Sequence, residues 1–193
     1  MKVLVTGAKG QLGSTFIRVL RDSNEVVGTV RDELDLTDDI SVRAVISEVR
    51  PDLILNCAAY NEVDSAESCP ETALAVNAFG VQALAVMAAE FSSTLVHFST
   101  DFVFDGNTSK PYSEADTPNP QSVYATSKLL GEWFAAETPQ HYVIRVESLL
   151  AVKVCEEVVS IYWLMLYLKK NRFVRSPTAL YRRATLKTLS KQR

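Results

Sequence analysis

The chain has 193 residues, 47% hydrophobic and 22% charged, a composition that suits a folded domain with a sizeable core and excludes a disordered chain. Its net charge of −3 gives no support to nucleic-acid binding. Cys57, Cys69 and Cys155, an odd set without C-x-x-C spacing, point to neither a disulfide framework nor a zinc site, and fit a reducing compartment. The charge is unevenly spread: residues 1–150 hold 10 Lys and Arg against 21 Asp and Glu, whereas residues 151–193 hold 10 against 2. A boundary near 150 follows. The opening "MKVLVTGAKG" reaches glycine too soon for a secretory leader, so a cytoplasmic protein is expected.

In chain order, the apolar run 2–7 predicts a strand, 11–22 a helix, 25–30 a strand, 38–49 a helix and 52–58 a strand. A long helix opened by Pro70 is predicted over 70–91, then a strand over 94–100, a Pro/Asn/Gly-rich loop from Asp105 to Pro120, a helix over 122–137 and a strand over 141–146. The strands are apolar on both faces, as a parallel sheet covered on each side requires. The pattern predicts a doubly wound α/β fold of the Rossmann-like kind. Residues 1–150 are expected to form a dinucleotide-binding domain that also carries the catalytic residues, and 151–193 a basic, partly hydrophobic tail.

The first turn, "TGAKGQLG", sets Gly7, Gly10 and Gly13 between strand and helix. A tight bend at Gly7, close backbone approach at Gly10 and helix packing at Gly13 suit a pyrophosphate, drawn to the positive end of the helix. A glycine turn without a ligand is the plainer alternative. Arg31 directly follows the second strand, where a guanidinium pairs with a ribose 2′-phosphate, so NADP(H) is favoured; Asp32 beside it keeps NAD(H) open. "NCAAY" (56–60) ends the third strand with small residues that leave room for a ligand. "STDFVFDG" (99–106) brings Ser99 and Thr100 hydroxyls to the tip of the fourth, where turn capping is the bland reading.

In "SVYATSK", Tyr124 and Lys128 lie four apart on one helix face. That spacing alone is common, but beside Thr100 and a dinucleotide turn it points to carbonyl reduction. Tyr124 would supply the proton, Thr100 would hydrogen-bond the developing alkoxide, and Lys128 would lower the phenol's pKa and hold the nicotinamide ribose. His97, His141, Trp133 and Trp163 are expected to be packing residues.

The stretches "VTGAKGQLG", "LDLTD", "RPDLILNCAAYNEVDSAE", "NAFGVQALA", "HFSTDFVFDG", "KPYSEADTPNPQSVYATSK" and "RVESLL" together resemble the extended short-chain dehydrogenase/reductases, and within them the dTDP-4-dehydrorhamnose reductase family. The resemblance implies reduction of the 4-keto group of a nucleotide-activated deoxysugar in dTDP-rhamnose biosynthesis, with no metal. It implies Thr100, Tyr124 and Lys128 as the catalytic triad. It also implies Gly7, Gly10, Gln11, Leu12 and Gly13 around the pyrophosphate, Asp35 and Leu36 near the adenine, and Ala58, Ala59 and Tyr60 along the cofactor. Past about residue 150 the likeness stops, so the substrate lobe is expected to be largely missing. A truncated or frame-shifted product is preferred to a distinct natural tail. The apolar run 158–168 is expected to pack on the sheet rather than contact a membrane. A catalytically impaired cofactor-binding remnant or a non-catalytic subunit is the competing reading, and self-association is left open.

Overall fold

The computed structural model describes residues 1–146. The tail from 151, with Cys155, Trp163 and the run 158–168, lies outside the described residues, as does the expected boundary at 150.

Five strands, β1 (Lys2–Thr6), β2 (Glu25–Thr29), β3 (Leu53–Asn56), β4 (Thr94–Thr100) and β5 (His141–Val146), form one sheet in the order β2-β1-β3-β4-β5. Every pairing is parallel. The helices are α1 (Gln11–Leu20), α2 (Asp39–Val49), α3 (Val63–Ser68), α4 (Pro70–Leu74), α5 (Gly80–Glu90) and α6 (Val123–Ala136). A π-helical turn, Ala75–Phe79, joins α4 to α5, so that Pro70–Glu90 runs as one helix.

Alternation along the strands sorts the core into two layers. Leu4, Ile54 and Leu95 face α2, α5 and α6, where they meet Val42, Ile46, Val81, Leu84 and Ala135. Val3, Val5, Leu53, Leu55, Val96 and Phe98 face α1 and bury Phe16 and Leu20. The central strand β3 is buried at all four positions. Burial on both faces is why it reads as an unbroken apolar run rather than an alternating one.

Local signals set the helix ends. Asp38 accepts a hydrogen bond from the Ile40 N–H at 2.9 Å and caps α2, while Ser122 accepts from the Ala125 N–H at 3.1 Å and caps α6. Arg50 leaves α2 in the left-handed region at φ 46, directly before Pro51. The predicted strands and long helices stand within one or two residues of their observed bounds. The short α3 was not predicted, and Trp133, expected in the core, is 60% exposed on α6. Helix α6 buries Tyr124, Ala125, Lys128, Leu129, Glu132 and Ala135, and Trp133 falls on its opposite face.

The π turn matters because of what it carries. Asn77, 1% exposed, accepts from the Tyr60 N–H at 2.9 Å through Oδ1, and donates through Nδ2 to the Tyr60 carbonyl and the Ser127 hydroxyl, each at 3.0 Å. One amide thus ties the loop after β3 to α6. Helix α6 passes so close that a Cβ at Gly131 would sit 2.2 Å from the Asn77 carbonyl oxygen. Gly131→Ala is therefore expected to lower stability by about 1–3 kcal/mol through overpacking against backbone, which urea denaturation at neutral pH would measure.

Candidate active site

The crevice opens where the strand order reverses, between the carboxyl ends of β1 and β3. Gly7 takes φ +66, and a Cβ there would lie 2.9 Å from the Ala58 nitrogen, so both conformation and space demand glycine. The Ala58 N–H donates to the Thr6 hydroxyl at 3.2 Å, and that hydroxyl donates to Asn56 Oδ1 at 2.8 Å. Helix α1 begins directly behind the bend. The Gly10 N–H donates to the Gly7 carbonyl at 2.9 Å, and a Cβ at Gly13 would come within 2.4 Å of the same oxygen. Gly10 caps α1 without a side-chain bond, and no acidic residue stands in its first turn. The first-turn N–H groups of Leu12 and Gly13 lack intrahelical acceptors by helix geometry, which leaves a positive end suited to a phosphate.

A cleft of about 300 Å³ lies over this bend, lined by Gly7, Lys9, Gly10, Val30, Arg31 and Asp32. The glycine turn and Arg31 thus border one cleft. Arg31 is exposed, with Nε 3.5 Å from the Asp35 carboxylate. Asp35 also accepts from the Thr37 hydroxyl at 2.7 Å and the Thr37 N–H at 2.9 Å, and those bonds, with Arg31 beside them, hold its carboxyl below the usual range. Leu36 is buried against Gly80, so its side chain belongs to the core as much as to any adenine site. A larger open groove of about 540 Å³ is lined by Leu36, Thr37, Asp38, Asp39, Ala75 and Phe79. Its two carboxylates disfavour a phosphate, which leaves the smaller cleft as the better fit to a dinucleotide.

The second half of the site is the tip of β4 against the start of α6. Tyr124, 9% exposed, packs with Tyr60, Val63 and Val123 in a small cluster of its own and meets the Phe102 ring edge-on at 6.3 Å. Burial raises its pKa, hydrogen bonding to the Thr100 side chain pulls the other way, and the Asp101 charge adds to the rise. Thr100 donates to the Asp101 carboxylate at 3.1 Å and accepts from the Phe102 N–H at 3.2 Å. The structure brings Thr100 and Tyr124 together.

Lys128 stands one turn further on, 3% exposed, and its ammonium donates to the Phe98 carbonyl at 2.6 Å. Burial pushes its pKa down to about 8, against the opposing pull of Glu132 and then Cys57. The sequence predicts that Lys128 lowers the phenol; in the structure the Tyr124 pKa is raised, because burial dominates there.

Several supporting residues escaped the sequence reading. Asn77 gave no signal beyond its place in "NAFG". Asn56 links Thr6 to His97, whose Nδ1 lies 3.1 Å from the Asn56 amide nitrogen. Since Thr6 takes the amide oxygen, His97 Nδ1 accepts and the proton sits on Nε2. Burial holds this ring neutral, its pKa well below the ordinary value. Buried Glu132 and half-buried Arg145 form a two-pronged ion pair, with Nε 2.9 Å and Nη2 2.7 Å from the carboxylate. A charge inside the apolar strand "HYVIRV" was the signal that could have found it.

A family model described as the RmlD substrate binding domain matches residues 1–172, a span that includes the whole sheet. A dTDP-4-dehydrorhamnose reductase from Burkholderia thailandensis is 44% identical over 138 residues, 72% of this chain and 46% of that one. A dTDP-4-keto-6-deoxy-D-glucose reductase from Streptomyces niveus is 45% identical over 130 residues, 67% of this chain and 45% of that one. Among solved structures, a dTDP-4-dehydrorhamnose reductase from Bacillus anthracis in complex with NADP superposes with a TM-score of 0.75 at 32% identity, covering 89% of this chain and 60% of that one. The chain spans about half the length of the curated relatives it matches.

Burial of Lys128 has a consequence for folding. Its pKa falls from the usual 10.5 to about 8 in the folded chain, so the folded state releases this proton before the unfolded state does. The cost of burying the charge is present in full below pH 8 and is relieved as pH rises from about 8 to 10.5. Lys128→Met is expected to remove that alkaline gain, which urea denaturation of both forms at neutral and alkaline pH would detect.

Proposed function

The chain belongs to the RmlD family of dTDP-4-dehydrorhamnose reductases and their relatives, and from that membership we propose that it reduces the keto group of a nucleotide-activated deoxysugar with a nicotinamide dinucleotide, NADP(H) in preference to NAD(H). One observation carries the reading: Tyr124, protonated and largely buried, meets Thr100 at the carboxyl tip of β4, on the same edge of the parallel sheet where the glycine bend ends β1. The cleft at Gly7 and Gly10 supports a diphosphate, and the exposed Arg31 guanidinium supports a 2′-phosphate, while Asp32 leaves the unphosphorylated ribose open.

A reduced nicotinamide dinucleotide, when bound, supplies the two electrons that the carbonyl carbon takes up. The chain's residues do the rest. Thr100 offers its hydroxyl to the substrate oxygen and stabilises the charge that gathers there. Tyr124 donates its phenolic proton to that oxygen; its raised pKa keeps the proton available at neutral pH. Lys128, charged beneath the site, provides positive potential and a donor for the dinucleotide's ribose. Ala58, tied to Thr6, then Ala59 and Tyr60, the last held by Asn77, would form the floor for the dinucleotide. A nucleotide sugar is the partner the reading requires, and we take the cytoplasm as the place of reaction.

A second reading, dinucleotide binding without turnover, is supported by the Lys128 ammonium being committed to the Phe98 carbonyl. Positioning accounts for about 7–11 kcal/mol of such a barrier, so intact acid and donor groups do not by themselves ensure turnover.

NADPH fluorescence titration followed by NADPH consumption with dTDP-4-dehydrorhamnose separates the two, since binding without consumption supports the second. On the first reading, Tyr124→Phe keeps dinucleotide binding and loses about 10²–10⁴-fold in turnover; unchanged consumption would remove Tyr124 from its role. Arg31→Ala is expected to weaken NADPH about tenfold more than NADH, read as the ratio of their Kd values.

A further inference from the structure

Lys128 is a cation inside the protein, and a lone carbonyl does not compensate for the loss of water around an ammonium. The titratable and charged groups around it come from every neighbouring element. Cys57 follows β3, His97 lies in β4, Tyr124 and Glu132 stand one turn before and one turn after it on α6, and Arg145 lies in β5. Burial raises the Cys57 thiol and the Tyr124 phenol and lowers His97, so all three are neutral near pH 7. Asp101, exposed at the β4 tip, acts on Tyr124. Among the described residues, Glu132 and Arg145 remain as the charged groups behind Lys128.

Glu132 is 5% exposed and faces the same side of α6 as Lys128. Arg145 holds both of its oxygens, is fixed opposite Ser99 in the sheet, and lies over the Phe104 ring at 4.9 Å. A buried ion pair is a weak staple, because two apolar side chains of similar volume join a helix to a strand as well or better. Its charges need another use.

We propose that Glu132 and Arg145 are positioning residues for Lys128: the carboxylate keeps the buried ammonium charged, and the guanidinium fixes that carboxylate and tempers its pull. The inference rests on the role given above to Lys128, but its readout is the lysine's proton rather than turnover. Tyr124, Lys128 and Glu132 then form a ladder on one helix face, acid at the crevice, cation beneath it, counter-charge at the bottom. Without the lowest rung, Lys128 begins to shed its proton in the neutral range and its positive potential is weakened.

The test is carbon-13 NMR of lysine Cε in the full chain, with the Lys128 signal identified by its loss in Lys128→Met. The wild-type midpoint is expected near 8. Glu132→Gln, nearly isosteric, should lower it by about one pH unit, a tenfold loss of proton affinity, while Glu132→Asp should restore much of the shift. Arg145→Gln breaks the same bridge but leaves the carboxylate, and should raise the midpoint. Arg145→Lys should fall between wild type and Arg145→Gln, and keeps the comparison open should the larger change unfold the chain. A staple without electrostatic effect makes the Glu132 and Arg145 variants behave alike, so midpoints that stay put or move the same way overturn the proposal. NADPH titration of the same samples distinguishes the two readings: shifted midpoints without NADPH binding count against the proposed function alone, and unmoved midpoints with binding count against this inference alone.

Discussion

At Gly7 the backbone turns through φ +66 and passes so near Ala58 that a side chain would strike its amide nitrogen, which brings the carboxyl ends of β1 and β3 together more closely than other residues allow. From that approach the rest of the site follows. Helix α1 starts immediately behind the bend, its positive end aimed along the crevice, and Thr6 and Asn56 use the closeness to bond across the two strands. Arg31 borders the cleft over the bend, and Tyr124 stands at the carboxyl end of the sheet beside the tip of β4.

Burial acts on the two helical residues in opposite directions. It raises the phenol of Tyr124, which ionises to an anion, and lowers the ammonium of Lys128, which loses charge on deprotonation. One desolvating wall therefore makes Tyr124 a better keeper of its proton and Lys128 a poorer one. For a proton donor the first effect is useful at neutral pH, and the second needs an answer from the surrounding charges. Helix α6 supplies it by placing polar residues on its buried face, where Asn77, Phe98 and Arg145 meet them.

Much of the fold was legible because the strands are buried on both faces and the turns are punctuated by glycine, proline and capping residues, signals that are local in sequence. The glycine bend, Arg31, Thr100, Tyr124 and Lys128 were legible for the same reason, as each sits at a strand end or on one helix face. Other features depend on contacts far apart in the chain. Asn77 acts across 17 residues on Tyr60 and across 50 on Ser127, and no spacing rule connects them. Trp133 was misplaced because its type favours burial, while the phase of α6 turns it outward. The phenol's raised pKa follows from burial, which composition does not contain, and the bond from Lys128 to the Phe98 carbonyl is one that no pattern announces.

The turn at Ala75–Phe79 holds one residue more than an ordinary helical turn would, and the wider winding absorbs it between the two halves of Pro70–Glu90. Ahead of it Ala73 faces the cluster around Tyr124; beyond it Val81, Leu84 and Ala88 face the sheet. A deletion of one codon there would restore regular winding and leave the downstream stripe nearly in phase with β1, β3 and β4. What such an edit would take away is the aim of Asn77, whose amide reaches Tyr60 and Ser127 from the widened turn. The surplus residue serves where one side chain points rather than which face the helix buries.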